Sequence, residues 1–98
     1  MSRITMANVH YYLDMYNGTV DEIFQKSGVY FPRLMIRSAY GYRNIQVATS
    51  TEDIRCGLST RECYEVLISM YNVVNIVRRG IDEAERVERM LVSEELGY

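Results

Sequence analysis

Arginine and tyrosine side chains gather in the middle of this 98-residue chain. Five of them form the candidate ligand site: Arg33, Arg37, Tyr40, Tyr42 and Arg43. A guanidinium group binds a phosphate or carboxylate through two parallel hydrogen bonds, and a phenol ring stacks on a flat base. The cluster therefore predicts a pocket for a small anionic, nucleotide-like ligand. The alternative is that arginine stems simply pack over tyrosine rings while their charged ends face water.

Residues that support catalysis or metal binding are sparse. His10 is distant in sequence from Cys56 and Cys63, and the two cysteines do not form a CxxC pair. The spacing indicates neither a Cys–His nucleophile nor a metal site. The chain also lacks the GxGxxG, GxSxG, P-loop and HExxH motifs. We therefore expect no enzymatic activity, no cofactor and no metal.

Length and composition indicate a single small domain over residues 1–98. A hydrophobic share of 48% is typical of a globular protein, and a net charge of −2 argues against a strongly basic nucleic-acid binder. No apolar run approaches the roughly 20 residues that span a bilayer. Without a disulfide framework or a signal-peptide pattern, the expected location is the cytoplasm, of the host cell if the protein is viral.

Helical spacing of apolar residues predicts a first helix from Arg3 to Tyr16, which Asn17-Gly18 would end. The following Thr19–Glu22 segment is a capping-box pattern, and it predicts a short second helix, Val20–Ser27.

From Arg33 the period changes to two: Leu34 and Ile36 alternate with their neighbours before Gly41, and Ile45 and Val47 do so after it. Alternation on both sides of a glycine-bearing turn predicts a β-hairpin. The polar segment Thr49–Arg55 is expected to be a connection.

The strongest predicted element is a helix from Thr60 to Arg79, which opens with a second capping box at Ser59–Glu62. An acidic amphipathic helix over residues 81–96 follows, either as a separate element or as a continuation through Gly80. The long helix is apolar on more than one side, which predicts a dimer or higher homo-oligomer. The expected interface residues are Leu67, Met70, Tyr71 and Val74.

These elements predict an α+β fold with an N-terminal helix, a short β-hairpin packed on a long helix, and an additional C-terminal helix. The expected core joins strand residues to helix residues: Leu34, Ile36, Ile45 and Val47 against Val66, Leu67, Met70 and Val74. Charge is segregated along the chain. Residues 33–61 carry five Arg against two acids, or +3, and residues 82–98 carry six acids against two Arg, or −4.

Residues 19–38 also fit a helix-turn-helix, with Gly28 in the turn and Arg33 and Arg37 facing DNA phosphates. Phe24 is large for the close helix contact of that motif, and Arg37 falls where an apolar residue is expected. The helix-turn-helix is therefore the alternative to the hairpin.

The order of motifs resembles that of a loosely defined group of small phage and prophage proteins. Their pattern has an N-terminal helix, a hairpin around Ala-Tyr-Gly, and a long helix opening with Leu-Ser/Thr-x-Arg/Lys-Glu-x-Tyr. Residues 39–43 and 58–64 match it here, while Asn44 and the segment after Gly80 depart from it. The resemblance implies a viral accessory protein and favours the hairpin over the helix-turn-helix.

We therefore expect a non-enzymatic, phage-type accessory protein that acts by binding. It would inhibit a host or defence protein, or sequester a small anionic ligand in the Tyr/Arg pocket. One alternative is a DNA-binding regulator that uses residues 19–38, although nucleic acid is the less favoured partner. The other is a structural or assembly oligomer. No membrane partner is expected.

Overall fold

In the computed structural model, which describes residues 3–95, two helices pack on one face of a three-stranded antiparallel sheet. Helix α1 spans Met6–Ser27 and helix α2 spans Thr60–Glu95. Strands β1, β2 and β3 span Leu34–Ala39, Tyr42–Val47 and Asp53–Leu58 and lie side by side in that order. This architecture confirms the α+β class. Within residues 3–95, neither helix combines the length and the apolar character that crossing a bilayer requires.

Helix α1 is continuous where the sequence predicted two helices. It runs through Asn17-Gly18 without a break, and the Thr19 hydroxyl donates to the Met15 carbonyl at 2.8 Å instead of capping a new helix. An interior glycine costs about 1 kcal/mol relative to alanine. Burial of Val20 and Ile23, which are 1% and 0% exposed, offsets that cost. The predicted stop at Asn17-Gly18 is therefore wrong, because tertiary burial outweighs the local signal.

Gly18 within α1 and Gly28 directly after it should respond to alanine in opposite directions. Gly18 is helical with open space around it, so Gly18→Ala is expected to raise the free energy of unfolding by about 1 kcal/mol. Gly28 ends the helix at φ 75° and donates its N–H to the Phe24 carbonyl at 2.9 Å. Gly28→Ala should lower stability by about 1 kcal/mol, because a Cβ is disfavoured at positive φ. Urea unfolding of both variants tests this, and a shift of the same sign in both would contradict it.

The predicted hairpin is confirmed in β1 and β2, which pair from Leu34 with Val47 to Ala39 with Tyr42. Its two-residue turn is Tyr40-Gly41, with φ angles of 52° and 80°. Positive φ at both turn residues is the geometry that matches the twist of paired strands. The alternative helix-turn-helix over residues 19–38 is wrong, because the segment that would be its recognition helix forms β1.

Strand β3 was not expected, since residues 49–55 were predicted to be only a polar connection. Its apolar residues Ile54, Cys56 and Leu58 occupy every second position, a strand signal that the prediction of a polar connection did not use. Five of the six residues are exposed, so burial does not mark the strand. Hydrogen bonds with β2 hold the strand in place. The Gly57 N–H donates to Asn44 Oδ1 at 2.9 Å, and the Gln46 side-chain amide donates to Asp53 Oδ1 at 2.6 Å.

Helix α2 begins with the predicted capping box. The Ser59 N–H donates to Glu62 Oε1 at 3.0 Å, and the Glu62 N–H donates to Ser59 Oγ at 3.2 Å. Donation to the Glu62 carboxylate by the Ser59 backbone N–H, and secondarily by the Ser59 hydroxyl, holds the pKa of Glu62 below its usual value. The helix continues through Gly80, so residues 81–95 extend α2 rather than forming an additional C-terminal helix. Residue 96, the last of the predicted segment, lies outside the described residues.

Helices α1 and α2 run side by side in the same direction. The Tyr12 ring contacts those of Tyr64 and Tyr71, with ring centroids 5.5 and 6.0 Å apart. Further along, Lys26 Nζ lies 2.8 Å from Asp82 Oδ1. This hydrogen bond lowers the pKa of Asp82 and raises that of Lys26. Because α1 ends at Ser27, its support of α2 ends near Asp82.

The core lies between the helix pair and the sheet. Each strand contributes one buried apolar side chain, and each helix contributes a stripe: Leu34, Ile45 and Leu58 with Val9, Leu13, Tyr16, Val20, Ile23, Cys63, Leu67 and Val74. Of the predicted core, Ile36, Val66 and Met70 are partly buried at its edge. Helix α1 contributes more of this core than the sequence indicated, because α2 packs mainly along it.

Candidate functional site

The hairpin turn places two tyrosine rings in solvent. Tyr40 is 100% exposed at the tip, and Tyr42, the first residue of β2, is 58% exposed. Arg37 of β1 is also exposed and, within residues 3–95, makes no ion pair or side-chain hydrogen bond. We call Arg37, Tyr40 and Tyr42 the hairpin end.

The strand register separates the predicted site residues onto two faces of the sheet. Residues paired across antiparallel strands share a face, and neighbours along a strand alternate. Ser38 pairs with Arg43 on the face that carries the buried Ile45. Ala39 pairs with Tyr42 on the opposite, outer face, which also carries Arg37. Arg43 therefore points away from Tyr42, although the two are adjacent in sequence.

Arg43 is half-buried beside the core. Its Nη1 donates to the Gly41 carbonyl at 3.0 Å, while its Nε is buried without a hydrogen-bond partner among the described residues. Burial raises the pKa of the neighbouring Cys63 thiol, and the positive charge of Arg43 opposes that rise. Arg43 thus supports the turn and the core edge rather than a ligand site on the outer face.

Arg33 lies neither on the outer face of the hairpin nor at the core edge. It precedes β1 and forms an ion pair with Asp21 of α1 through its Nη1. The five predicted ligand residues therefore do not enclose a common pocket: Arg33 binds α1, Arg43 faces the core, and Arg37, Tyr40 and Tyr42 remain on an open, protruding surface. The predicted pocket is corrected to the hairpin end.

The predicted oligomer interface is corrected as well. Leu67 is 0% exposed and Val74 is 3% exposed, because both pack in the core of a single chain. Met70 and Tyr71 are half-buried at the core edge, where the Tyr71 ring contacts Tyr12. Burial therefore rules out Leu67 and Val74 as contacts with a partner subunit, whereas Met70 and Tyr71 keep part of their surface exposed.

The exposed apolar surface of α2 lies on other residues, which the predicted site did not include. These are Val73, Ile76, Val87, Met90, Leu91 and Val92, each between 48% and 68% exposed. Several of them recur at spacings of three and four residues across Gly80. That spacing could have indicated a second apolar face of α2. The sequence does not show which face belongs to the core, because this depends on where α1 packs.

The cysteines have unlike surroundings. Cys56 is exposed on β3, where a hydrogen bond with Asp53 raises its pKa, and Cys63 is buried in the core. Within the part of the chain that the structure describes, no group of three or more His, Cys, Asp or Glu side chains comes together to hold a metal.

Comparisons with protein-family models, with curated proteins and with solved structures found no match. The functional interpretation therefore depends on the chemistry of the exposed surfaces.

Proposed function

We propose that this chain is a non-enzymatic accessory protein of the phage type that acts by binding a partner protein through the hairpin end. The protruding shape supports this proposal. Small-molecule sites are concave and bury most of the ligand surface, whereas Tyr40 is 100% exposed at the tip of a hairpin. A projecting tip is suited to entering a cleft on another macromolecule.

The residue types of the hairpin end also support a protein partner. Tyrosine and arginine are enriched among the few residues that carry most of the binding free energy at protein interfaces. A tyrosine ring offers a large contact area at a low cost in side-chain entropy. Two exposed rings beside an arginine that has no ion pair among the described residues are therefore a candidate binding centre.

Charge indicates what the partner surface should be like. Of the five Arg in residues 33–61, Arg33 pairs with Asp21 and Arg61 pairs with Glu65, whereas Arg37 of the hairpin end makes no ion pair among the described residues. Complementary charge speeds association and suppresses wrong partners. We therefore propose an acidic cleft or groove on the partner, which Arg37 would face.

Binding is expected to depend on the two exposed rings. The test variant combines Tyr40→Asn, which retains a residue tolerated at positive φ, with Tyr42→Thr, which retains β propensity. The wild type is expected to capture a partner protein from a bacterial host lysate. The variant should bind that partner at least about tenfold more weakly than the wild type does, and should therefore fail to capture it. Higher salt should weaken the wild-type complex.

Tyr11→Ala is the matched control, since Tyr11 of α1 is 57% exposed, almost the same as Tyr42. The control should retain the partner at wild-type affinity. Equal retention by the hairpin variant and the wild type would refute the proposal. Excess absorbance at 260 nm in the purified wild type would instead favour sequestration of a nucleotide-like ligand, since a chain with no Trp absorbs mainly through tyrosine at 280 nm.

A further inference from the structure

The C-terminal part of α2 extends beyond the rest of the protein. The last side chain of α1 that contacts it is Lys26, at Asp82. All described side chains from Glu83 to Ser93 are exposed. We call residues 83–95 the α2 arm. A helical segment of this length gains little stability in water without packing of an apolar face.

An apolar stripe runs along one face of α2 and onto the arm. Its members are spaced three or four residues apart: Val73, Ile76, Gly80, Ala84, Val87 and Leu91. The four large ones are 59%, 68%, 48% and 55% exposed in chain order. At 3.6 residues per turn, this stripe lies on a different face from Val74, which packs against α1. We call it the α2 stripe.

The sizes of its residues are symmetric about Asp82. Two large residues, Val73 and Ile76, come first, and two large residues, Val87 and Leu91, come last. The small Gly80 and Ala84 flank the centre. Two copies of the stripe in opposite directions would place large residues against large ones at both ends. The small residues would meet at the crossing, where they allow two helices to approach closely.

Charge favours the same orientation. Residues 66–81 contain Arg78 and Arg79 and no acidic residue; Arg78 pairs with Glu22 of α1 at 3.4 Å, which leaves Arg79 as the exposed basic side chain of this half. Residues 82–95 contain six acidic residues and two Arg, giving −4. Antiparallel copies place each acidic half beside a basic half, whereas parallel copies would place the two acidic halves together. Opposed helix dipoles favour the antiparallel arrangement as well.

We propose that the α2 stripe binds a second copy of this chain in an antiparallel, two-fold arrangement centred near Asp82. Each arm would then pack on the exposed side of the partner's α2, with Val73 opposite Leu91 of the second copy and Ile76 opposite Val87 of the second copy. A two-fold interface uses the same surface on both copies, which a size-symmetric stripe provides. This proposal is independent of the hairpin end.

Light scattering coupled to size exclusion tests the surface. At micromolar concentration the wild type should have twice the 11.5 kDa mass of the chain. Val87→Glu should raise the dimer dissociation constant by about a hundredfold or more, because it buries an unpaired charge at the contact. Val92→Glu is a matched control: Val92 is also 48% exposed and on the same arm, but on another face of the helix. It should leave the dimer intact.

Cross-linking tests the orientation. In a Cys56→Ser background, which removes the exposed native thiol, Ile76→Cys and Val87→Cys are made as separate proteins. Positions 76 and 87 are about 17 Å apart along one helix, too far for a disulfide. In the antiparallel dimer, a mixture of the two proteins should therefore form heterodimeric disulfides, and either protein alone should not.

Three results would contradict the proposal, each a different part of it. A monomeric wild type at micromolar concentration removes the second copy as the occupant. Dissociation by Val92→Glu as strong as that by Val87→Glu removes the stripe as the contact surface. Cross-linking of either protein with itself, in a dimer of the expected mass, shows a parallel arrangement and refutes the antiparallel one. Circular dichroism of each variant confirms that α2 remains helical.

Discussion

Leu67→Ala should lower the free energy of unfolding by about 3 kcal/mol. Leu67 is 0% exposed and sits in the core with Ile23 and Ile45, so the smaller side chain leaves a cavity in close-packed surroundings. The loss combines the transfer free energy of the removed carbons with the missing contacts around the cavity. Urea unfolding followed by circular dichroism measures the effect.

Protein concentration distinguishes a core residue from an interface residue. The deficit of Leu67→Ala should be equal at low and high protein concentration, because α1 rather than a second copy buries the side chain. The proposed dimer would itself raise the unfolding midpoint with concentration, so the comparison is made with wild type at each concentration. Val92→Ala, at a half-exposed position of the same helix, should change stability by less than about 0.5 kcal/mol. A deficit that grows with concentration would restore Leu67 as an interface residue.

Asn17→Asp should destabilise the protein by about 3 kcal/mol. Asn17 of α1 joins the helix to the sheet with two hydrogen bonds to one residue. The Leu34 N–H donates to Asn17 Oδ1 at 2.8 Å, and Asn17 Nδ2 donates to the Leu34 carbonyl at 2.9 Å. A carboxylate retains the first bond but places a negative oxygen against the carbonyl, in a partly buried site.

The pH dependence of this variant has a definite sign. Protonation returns a donor to the introduced side chain, so part of the lost stability should be recovered as the pH falls toward about 4. Asn72→Asp is the control, since Asn72 is exposed on α2 and, among the described residues, has no side-chain hydrogen bond. It should cost less than about 0.5 kcal/mol.

Hydrogen exchange locates the effect. The Leu34 amide donates to Asn17 Oδ1, so it should exchange faster in Asn17→Asp than in wild type, because the substitution weakens the contact between α1 and β1. Unchanged exchange at Leu34, together with wild-type stability, would show that Asn17 does not join helix and sheet in solution.

The candidate site was only partly predictable, because contacts between distant parts of the chain place its residues. Such contacts also explain why Asn17 does not end a helix as predicted. Sequence composition identified the tyrosines and arginines around the hairpin. It could not assign Arg43 to the core face, because that assignment depends on the register with Ser38. It also could not show that Asp21 binds Arg33, since the two lie on different elements. The five residues that lie close together in sequence therefore occupy three separate places in the structure.

The sequence alone determined the features that local chemistry specifies. The Ser59–Glu62 capping box, the Tyr40-Gly41 turn and the alternation around it depend on neighbouring residues, and the structure contains all three. Tertiary structure decided the rest. Burial of Val20 and Ile23 carries α1 through Gly18, and pairing with β2 forms β3 from a segment that is exposed except at Leu58. Leu67 and Val73 are both apolar residues of one amphipathic helix. Contact with α1 buries the first and leaves the second 59% exposed, because a wide apolar surface does not itself specify which side the rest of the chain will cover.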